Sequence, residues 1–394
     1  MQMGAVFSAD EYLQRIGKTK ESMKEKGIDL LVISQPANMN YLSGYDGWSF
    51  YVHQCLLLHL DQEEPIWLGR GMDANVARLT AFLSEENILA YADDYVQSTV
   101  KHPMHFVADV IKEKGWDKSV IGVEMDQFYF TARAYVELER SLPEAKIADG
   151  NALVNWVRVV KSEAEVEFIR RAGKIAEKVM DAARNAIKVG ARECDAAAAV
   201  AYAQYAGTKE YAGDYPAIVP LMMAGEETKA PHMTWTEKVY QDEEAILLEL
   251  CGAYRRYHAP IARTIYLGKN PPRLLLDTAE VVLEGLSKAM DTIRPGVTAE
   301  DVESAWRKGI AHSKVVKESR IGYSIGVNYP PDWGEQTISF RPGDKTVLEP
   351  NMVLHLIPGI WYDEVGFEID TTFRVTENGY ESMYDYPLEL FIEG

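Results

Sequence analysis

Apolar positions along the first 150 residues switch repeatedly between helical and strand spacing. Residues 10–27 (DEYLQRIGKTKESMKEKG) place Tyr12, Leu13, Ile16 and Met23 on one side of a 3.6-residue repeat, which predicts an amphipathic helix. IDLLVIS follows as an unbroken apolar run of strand length, ending at the turn-prone cluster Pro36-Ala37-Asn38. CLLLHL (55–60) and PIWLGR (65–70) predict two further strands around the polar turn DQEE. A helix over 72–85, a strand over 87–91, a helix over 104–115, the strand SVIGVE, a helix over 129–140 and the strand KIADG continue the alternation. Strands alternating with helices imply an α/β domain.

At residue 161 the pattern changes. KSEAEVEFIRRAGKIAEKVMDAARNAI is one long helical repeat, with Ser162 as N-cap and Glu165 three residues on, a capping box. The domain boundary is therefore expected within 155–161, giving domains 1–158 and 159–394. Further helices are predicted over 193–206, 274–293 and 298–312, the last two separated by Pro295-Gly296. Strands are predicted over 217–223, 245–250, 352–357 and 367–374. There is no internal repeat.

Charge narrows the range of partners. The chain has 394 residues, 47% hydrophobic and 26% charged, with a formal net charge of −19. A carboxylate surplus opposes binding to nucleic acid and to anionic membranes, since both require positive surface. Cys55, Cys194 and Cys251 are widely spaced and odd in number, which suits a reduced cytoplasm. The first residues carry no signal-peptide pattern, and no apolar run is long enough for a membrane helix.

Four stretches of the second half concentrate chemistry. AGEETKAPHMTW (224–235) holds His232 in a loop. EEAILLELCGAYRRYHAPIARTIYLG (243–268) holds Glu249 inside an apolar strand, on the face of Leu247. RIGYSIGVNYPPDWGEQTISF (320–340) is rich in glycine and aromatics. LEPNMVLHLIPGIWYDEVGFEIDTTFRVTENGY (348–380) carries His355, Glu368 and Asp370. Glu249 is the sharpest of these, because a buried carboxylate costs several kcal/mol unless it is paired or protonated. Its position suits a functional group or a structural ion pair about equally. His232 and His355 taken alone read more readily as satisfied structural histidines. The aromatic clusters 44–51 and 328–333 are either hydrophobic turns or walls for a flat, cationic ligand. Arg263 and its neighbours offer guanidinium groups for a substrate carboxylate, or only surface charge.

Taken in order, KSEAEVEFIRRA, YRRYHAPIARTIYLG, LEPNMVLHLIPGIW and VTENGYE resemble the creatinase/aminopeptidase P family over the whole chain. The resemblance implies an α/β protein with a smaller creatinase-type N-terminal domain and an α+β pita-bread catalytic domain. Metal-dependent members hold two ions with two Asp, one His and two Glu. Those positions fall here on Glu249, Pro260, Tyr323, Ile357 and Asp370. Three of the five have lost their ligand, so the expectation is no metal and no other cofactor. Creatinase, a metal-free member, uses a histidine that falls on His232. Its arginine-bearing segment falls near GWSFYVHQ, which has no arginine.

GYDGWSFYVHQ, the GYSIG and NYPPDWGE segments and HLIPGIW resemble the ectoine hydrolase branch. That resemblance implies opening of the cyclic amidine of ectoine, with hydroxyectoine as a second candidate substrate. It implies Glu249 as nucleophile or base, His232 as proton shuttle, Glu368 and Asp370 as amidinium acceptors, and Tyr323 as donor to the tetrahedral centre. Trp48, Phe50, Tyr51 and Trp333 would form walls, and Arg263, Arg341 or Arg70 would meet the substrate carboxylate, Arg263 being alternatively a structural member of the family's Arg-Thr pair. A homodimer, with 44–54 acting on the partner's site, and a downstream deacetylase for the product also follow from it. The alternatives are another metal-free amidinohydrolase such as creatinase, or an inactive binding module of the same fold.

Overall fold

The computed structural model describes residues 4–394. Two compact units divide the chain, Met1–Arg158 and Val159–Gly394.

In the first unit the helix Ala9–Lys26 starts at Ser8, whose hydroxyl accepts from Glu11 N, and stops at Gly27 in the left-handed region. A six-stranded sheet follows, in spatial order Ile88–Tyr91, Ile66–Arg70, Cys55–His59, Leu30–Ile33, Val120–Val123 and Lys146–Asp149. The inner strands Leu30–Ile33 and Cys55–His59 are fully buried, as expected where helices cover a sheet, whereas the edge strands Ile88–Tyr91 and Lys146–Asp149 are only partly buried or exposed. One expectation is corrected. Pro36-Ala37-Asn38 is not a turn but the start of the helix Pro36–Ser43. Pro36 sits in its first turn, where the missing N–H is no loss. The buried carboxylate of Glu124 accepts from Ser34 N and Gln35 N at 2.7 Å and from Asn38 Nδ2 at 2.6 Å. A distant residue therefore supplies the helix start. The helix expected over 72–85 is also shorter, Ala74–Thr80.

In the second unit the helix Glu163–Ala186 begins with the predicted capping box of Ser162 and Glu165. It packs on a long hairpin of strands Glu244–Tyr254 and Tyr257–Leu267. Gly252 makes that packing close: a Cβ there would stand 2.1 Å from Ala172 O. The hairpin belongs to a nine-stranded sheet, next to one end of its main path. Its main path runs Gly379–Ser382, Thr371–Thr376, Val353–Leu356, Gly322–Tyr329, Tyr257–Leu267, Glu244–Tyr254, Leu221–Ala224. Asp332–Ser339 pairs with Gly322–Tyr329, and NYPPDW spans the turn between them. Helices Arg273–Met290 and Ala299–Ile310 pack on each other and share one buried core with the far half of this sheet. Among the described residues no helix is long and apolar enough to cross a membrane.

Candidate active site

Glu249 is fixed by register. It lies opposite Leu221 on one side and Ala262 on the other, in the middle of three paired strands. Its carboxyl end reaches a cavity of about 980 Å³ that is also lined by His232, Lys317, Arg320, Tyr323, Asp332, Trp361 and Glu368. Glu368 is held by its backbone. The Thr264 hydroxyl donates to Glu368 O and accepts from Glu368 N, both at 2.9 Å. That clamp leaves the carboxylate to face the cavity.

Both carboxylates are buried, Glu249 at 7% and Glu368 at 3% exposure. Burial, then the charges of Asp370 and Asp332, push Glu249 up to about 8. Burial, then Glu249 and Asp370, push Glu368 well above the carboxylate range, against the opposing pull of Lys317. The charge of Glu249 therefore disfavours the ionised form of Glu368. The Lys317 ammonium is drawn down to about 8 by burial, with Glu368 opposing. Arg320 stacks over the Tyr323 ring at 4.4 Å.

Behind the cavity lies a fully buried polar layer. Asp370 accepts from Tyr384 Oη at 2.9 Å and from Arg263 Nη1 at 3.3 Å. His355 Nε2 lies 3.3 Å from its other oxygen. Burial raises Asp370 to about 6, with Arg263 opposing, and burial lowers His355 to about 3.

Of the residues singled out in the sequence, Glu249, His232, Glu368 and Tyr323 meet at one cavity. His232 is exposed, on a turn with φ 70°. Three assignments need correction. Arg263 is 0% exposed, and its guanidinium donates to Pro387 O, Ala262 O, Asp370 O and Tyr386 O. Fully buried and absent from the cavity lining, it does not reach a substrate carboxylate there. Trp333 is 0% exposed and donates its Nε1–H to Tyr323 Oη at 2.9 Å, so it supports Tyr323 rather than forming a wall. Asp370 belongs to the buried layer with Arg263 and Tyr384, not to the cavity lining. Trp48, Phe50 and Tyr51 lie in the first unit, on the loop before strand Cys55–His59. Trp48 and Tyr51 are exposed, and Phe50 packs on Trp48 and Tyr129.

Sequence reasoning missed Lys317, Arg320, Asp332 and Trp361. None sits in an apolar run where a charge would stand out. Lys317 and Arg320 come from the stretch 311–320, which is irregular and carries no periodic pattern.

Comparisons with known proteins agree on the ancestry of the chain. Residues 167–377 match the metallopeptidase family M24, and residues 15–160 match the creatinase/prolidase N-terminal domain. An ectoine hydrolase of Halomonas elongata is 42% identical, with 100% of each chain covered. An Xaa-Pro dipeptidase of Pyrococcus furiosus is 25% identical, covering 93% of this chain and 96% of its own. The crystal structure of a prolidase from Thermococcus sibiricus superposes with a TM-score of 0.84 at 18% identity, covering 98% of this chain and 100% of that one.

The M24 name implies a metal centre, and the donors at the corresponding positions do not fit one. Pro260 and Ile357 offer no ligand atom. Tyr323 Oη accepts from Trp333, and one Asp370 oxygen is engaged by Arg263 and Tyr384. Among the described residues, no group of three His, Cys, Asp or Glu side chains is placed to hold an ion. Glu249 and Glu368 remain, beside the Lys317 ammonium, and two carboxylates make a weak site for a divalent cation.

Proposed function

This chain belongs to the metallopeptidase M24 family and is a hydrolase; we propose that it opens the cyclic amidine ring of ectoine, without a metal, to give N-acetyl-diaminobutyrate. The observation that carries this reading is the pair Glu249 and Glu368. Two buried carboxylates at one cavity, both with proton affinity raised by burial and neighbouring carboxylates, call for a cation that enters with the substrate. A protonated amidine is such a cation, flat and delocalised, with N–H groups that two carboxylates can accept. The full-length similarity to an ectoine hydrolase supports the choice of substrate.

The amidinium carbon is already electrophilic, so the reaction needs a nucleophile and a proton path rather than a Lewis acid. The amidinium binds between Glu368 and Glu249, and its charge favours the ionised form of both. Glu249 then deprotonates a water that adds to the central carbon, or adds itself and is released by water. In the first route the water oxygen bonds to carbon and its proton goes to Glu249. The carbon–nitrogen bond of the tetrahedral adduct then breaks. His232, at the mouth of the cavity, delivers a proton to the departing ring nitrogen. The remaining O–H proton returns to the enzyme as the acetamide carbonyl forms. Tyr323, oriented by Trp333, lies along the cavity wall to donate to the oxygen of the adduct.

Proton NMR of the purified protein incubated with ectoine tests the substrate. The reading predicts loss of the ring signals and growth of an acetamide methyl signal. Intact ectoine after prolonged incubation contradicts it.

A further inference from the structure

One wall of the cavity is left unused by the ring opening. The segment 311–320, between helix Ala299–Ile310 and strand Gly322–Tyr329, brings Lys314, Lys317 and Arg320 to it. Lys317 is the buried member, at 6% exposure. Its Nζ donates to Gly359 O at 2.8 Å and to Ser319 Oγ at 3.0 Å. An ammonium has three N–H bonds, so one is left over beside the cavity. The Trp361 ring lies 5.0 Å from the same nitrogen.

Glu368 is found beside the same glycine. A Cβ on Gly359 would stand 3.0 Å from Glu368 Oε1 and 2.5 Å from the Trp361 ring. Lys317 and Glu368 thus flank Gly359, and each feels the other's charge. Among the described residues no ion pair joins them. A buried ammonium and a buried carboxylate that stay apart leave room between them for one small molecule with both charges.

We propose that Lys317, with Arg320 beside it, seats the carboxylate of a zwitterionic cyclic amidine while Glu368 and Glu249 take its amidinium. The cavity then selects a charge pair about one ring apart, and a ring bearing only the amidinium fills half of the site. Arg320 is available for this role because one Nη1 bond, to Ser339 Oγ at 3.0 Å, orients its guanidinium over Tyr323 without neutralising it. This inference rests on the ring-opening reading and assigns the part of the substrate that reading left unplaced.

The test compares ectoine with the same ring lacking its carboxylate, in the wild type, Lys317→Met and Lys317→Arg. Turnover and calorimetric binding are both measured. In Lys317→Met the kcat/KM for ectoine falls roughly 10- to 100-fold, the range for losing a charged hydrogen bond. The loss on the carboxylate-free ring is several-fold smaller, and Lys317→Arg recovers part of the ectoine rate. An equal loss on both compounds, or no loss on either, overturns the assignment. A wild type that turns over neither compound removes the ring-opening reading alone. The seat then stands if ectoine still binds more tightly than the carboxylate-free ring and Lys317→Met erases that difference, and it falls if the two bind alike.

Discussion

His355 Nε2 and Asp370 Oδ2 face each other at 3.3 Å with no other partner, and only a proton between them makes the contact favourable. The Thr372 hydroxyl donates to Pro260 O at 3.0 Å, so at the 3.1 Å contact with His355 Nδ1 it accepts. The Nδ1–H tautomer leaves a lone pair on Nε2. Burial keeps the imidazole neutral and raises Asp370 to about 6, so below that pH the carboxyl side carries the proton. Asp370→Asn supplies an N–H in the same place and is expected to keep the fold. Asp370→Leu strands both His355 and Arg263 and is expected to cost on the order of 3–5 kcal/mol. Urea unfolding of the two variants at pH 5 distinguishes them; equal losses would contradict the shared proton.

The kcat/KM profile is expected to be a narrow bell near pH 8. Glu249 must be ionised to act, and its raised value puts the rising limb near 8. Lys317 must be protonated to hold a carboxylate, and its lowered value puts the falling limb near 8 as well. Bound amidinium favours ionised Glu249, so the rising limb of kcat lies at lower pH than that of kcat/KM. In Lys317→Arg the falling limb disappears, because guanidinium does not titrate there. A falling limb that persists in this variant would assign it to another group.

Glu249→Gln is expected to abolish ring opening and to stabilise the protein at alkaline pH. The folded state holds the Glu249 proton up to about 8, whereas a solvent-exposed glutamate loses it near 4.5. Between these values the folded state binds more protons, so this contribution is full at low pH and is lost as pH rises through 8. Glutamine removes the titration. Denaturant unfolding at pH 5 and at pH 8.5 should show the variant gaining on the wild type, by on the order of a few kcal/mol at the higher pH. A constant difference across that range would mean that Glu249 is not held protonated.

Gly359→Ala is expected to raise KM for ectoine more than it lowers stability. The added methyl meets the Trp361 ring and Glu368 Oε1, both of which border the cavity. Steady-state kinetics beside a thermal melt separates the two effects, and an unchanged KM would remove Gly359 from the site.

The fold was legible where local chemistry acts alone. Ser162 and Glu165 announced the helix that follows them, and the apolar runs of the first sheet announced strands. The strand Tyr257–Leu267 was not legible, because the hairpin turn before it is Arg255-Arg256. Both residues have positive φ, where Asn-Gly is the usual signal. Glu249 stood out as a charge within an apolar run, whereas Lys317 did not, because burial of an irregular segment leaves no mark on periodicity. Arg263 misled for the opposite reason: its charge was visible, but the carbonyls that consume it come from residues 370–387.

The most direct test of the central claim is the rate of ectoine opening by protein stripped with a chelator, with residual metal quantified in the same sample. Ring opening by Glu249 and Glu368 without a metal predicts full turnover at negligible metal content, unchanged on adding Mn²⁺, Fe²⁺ or Zn²⁺. Turnover that vanishes on stripping and returns in proportion to added metal would contradict it.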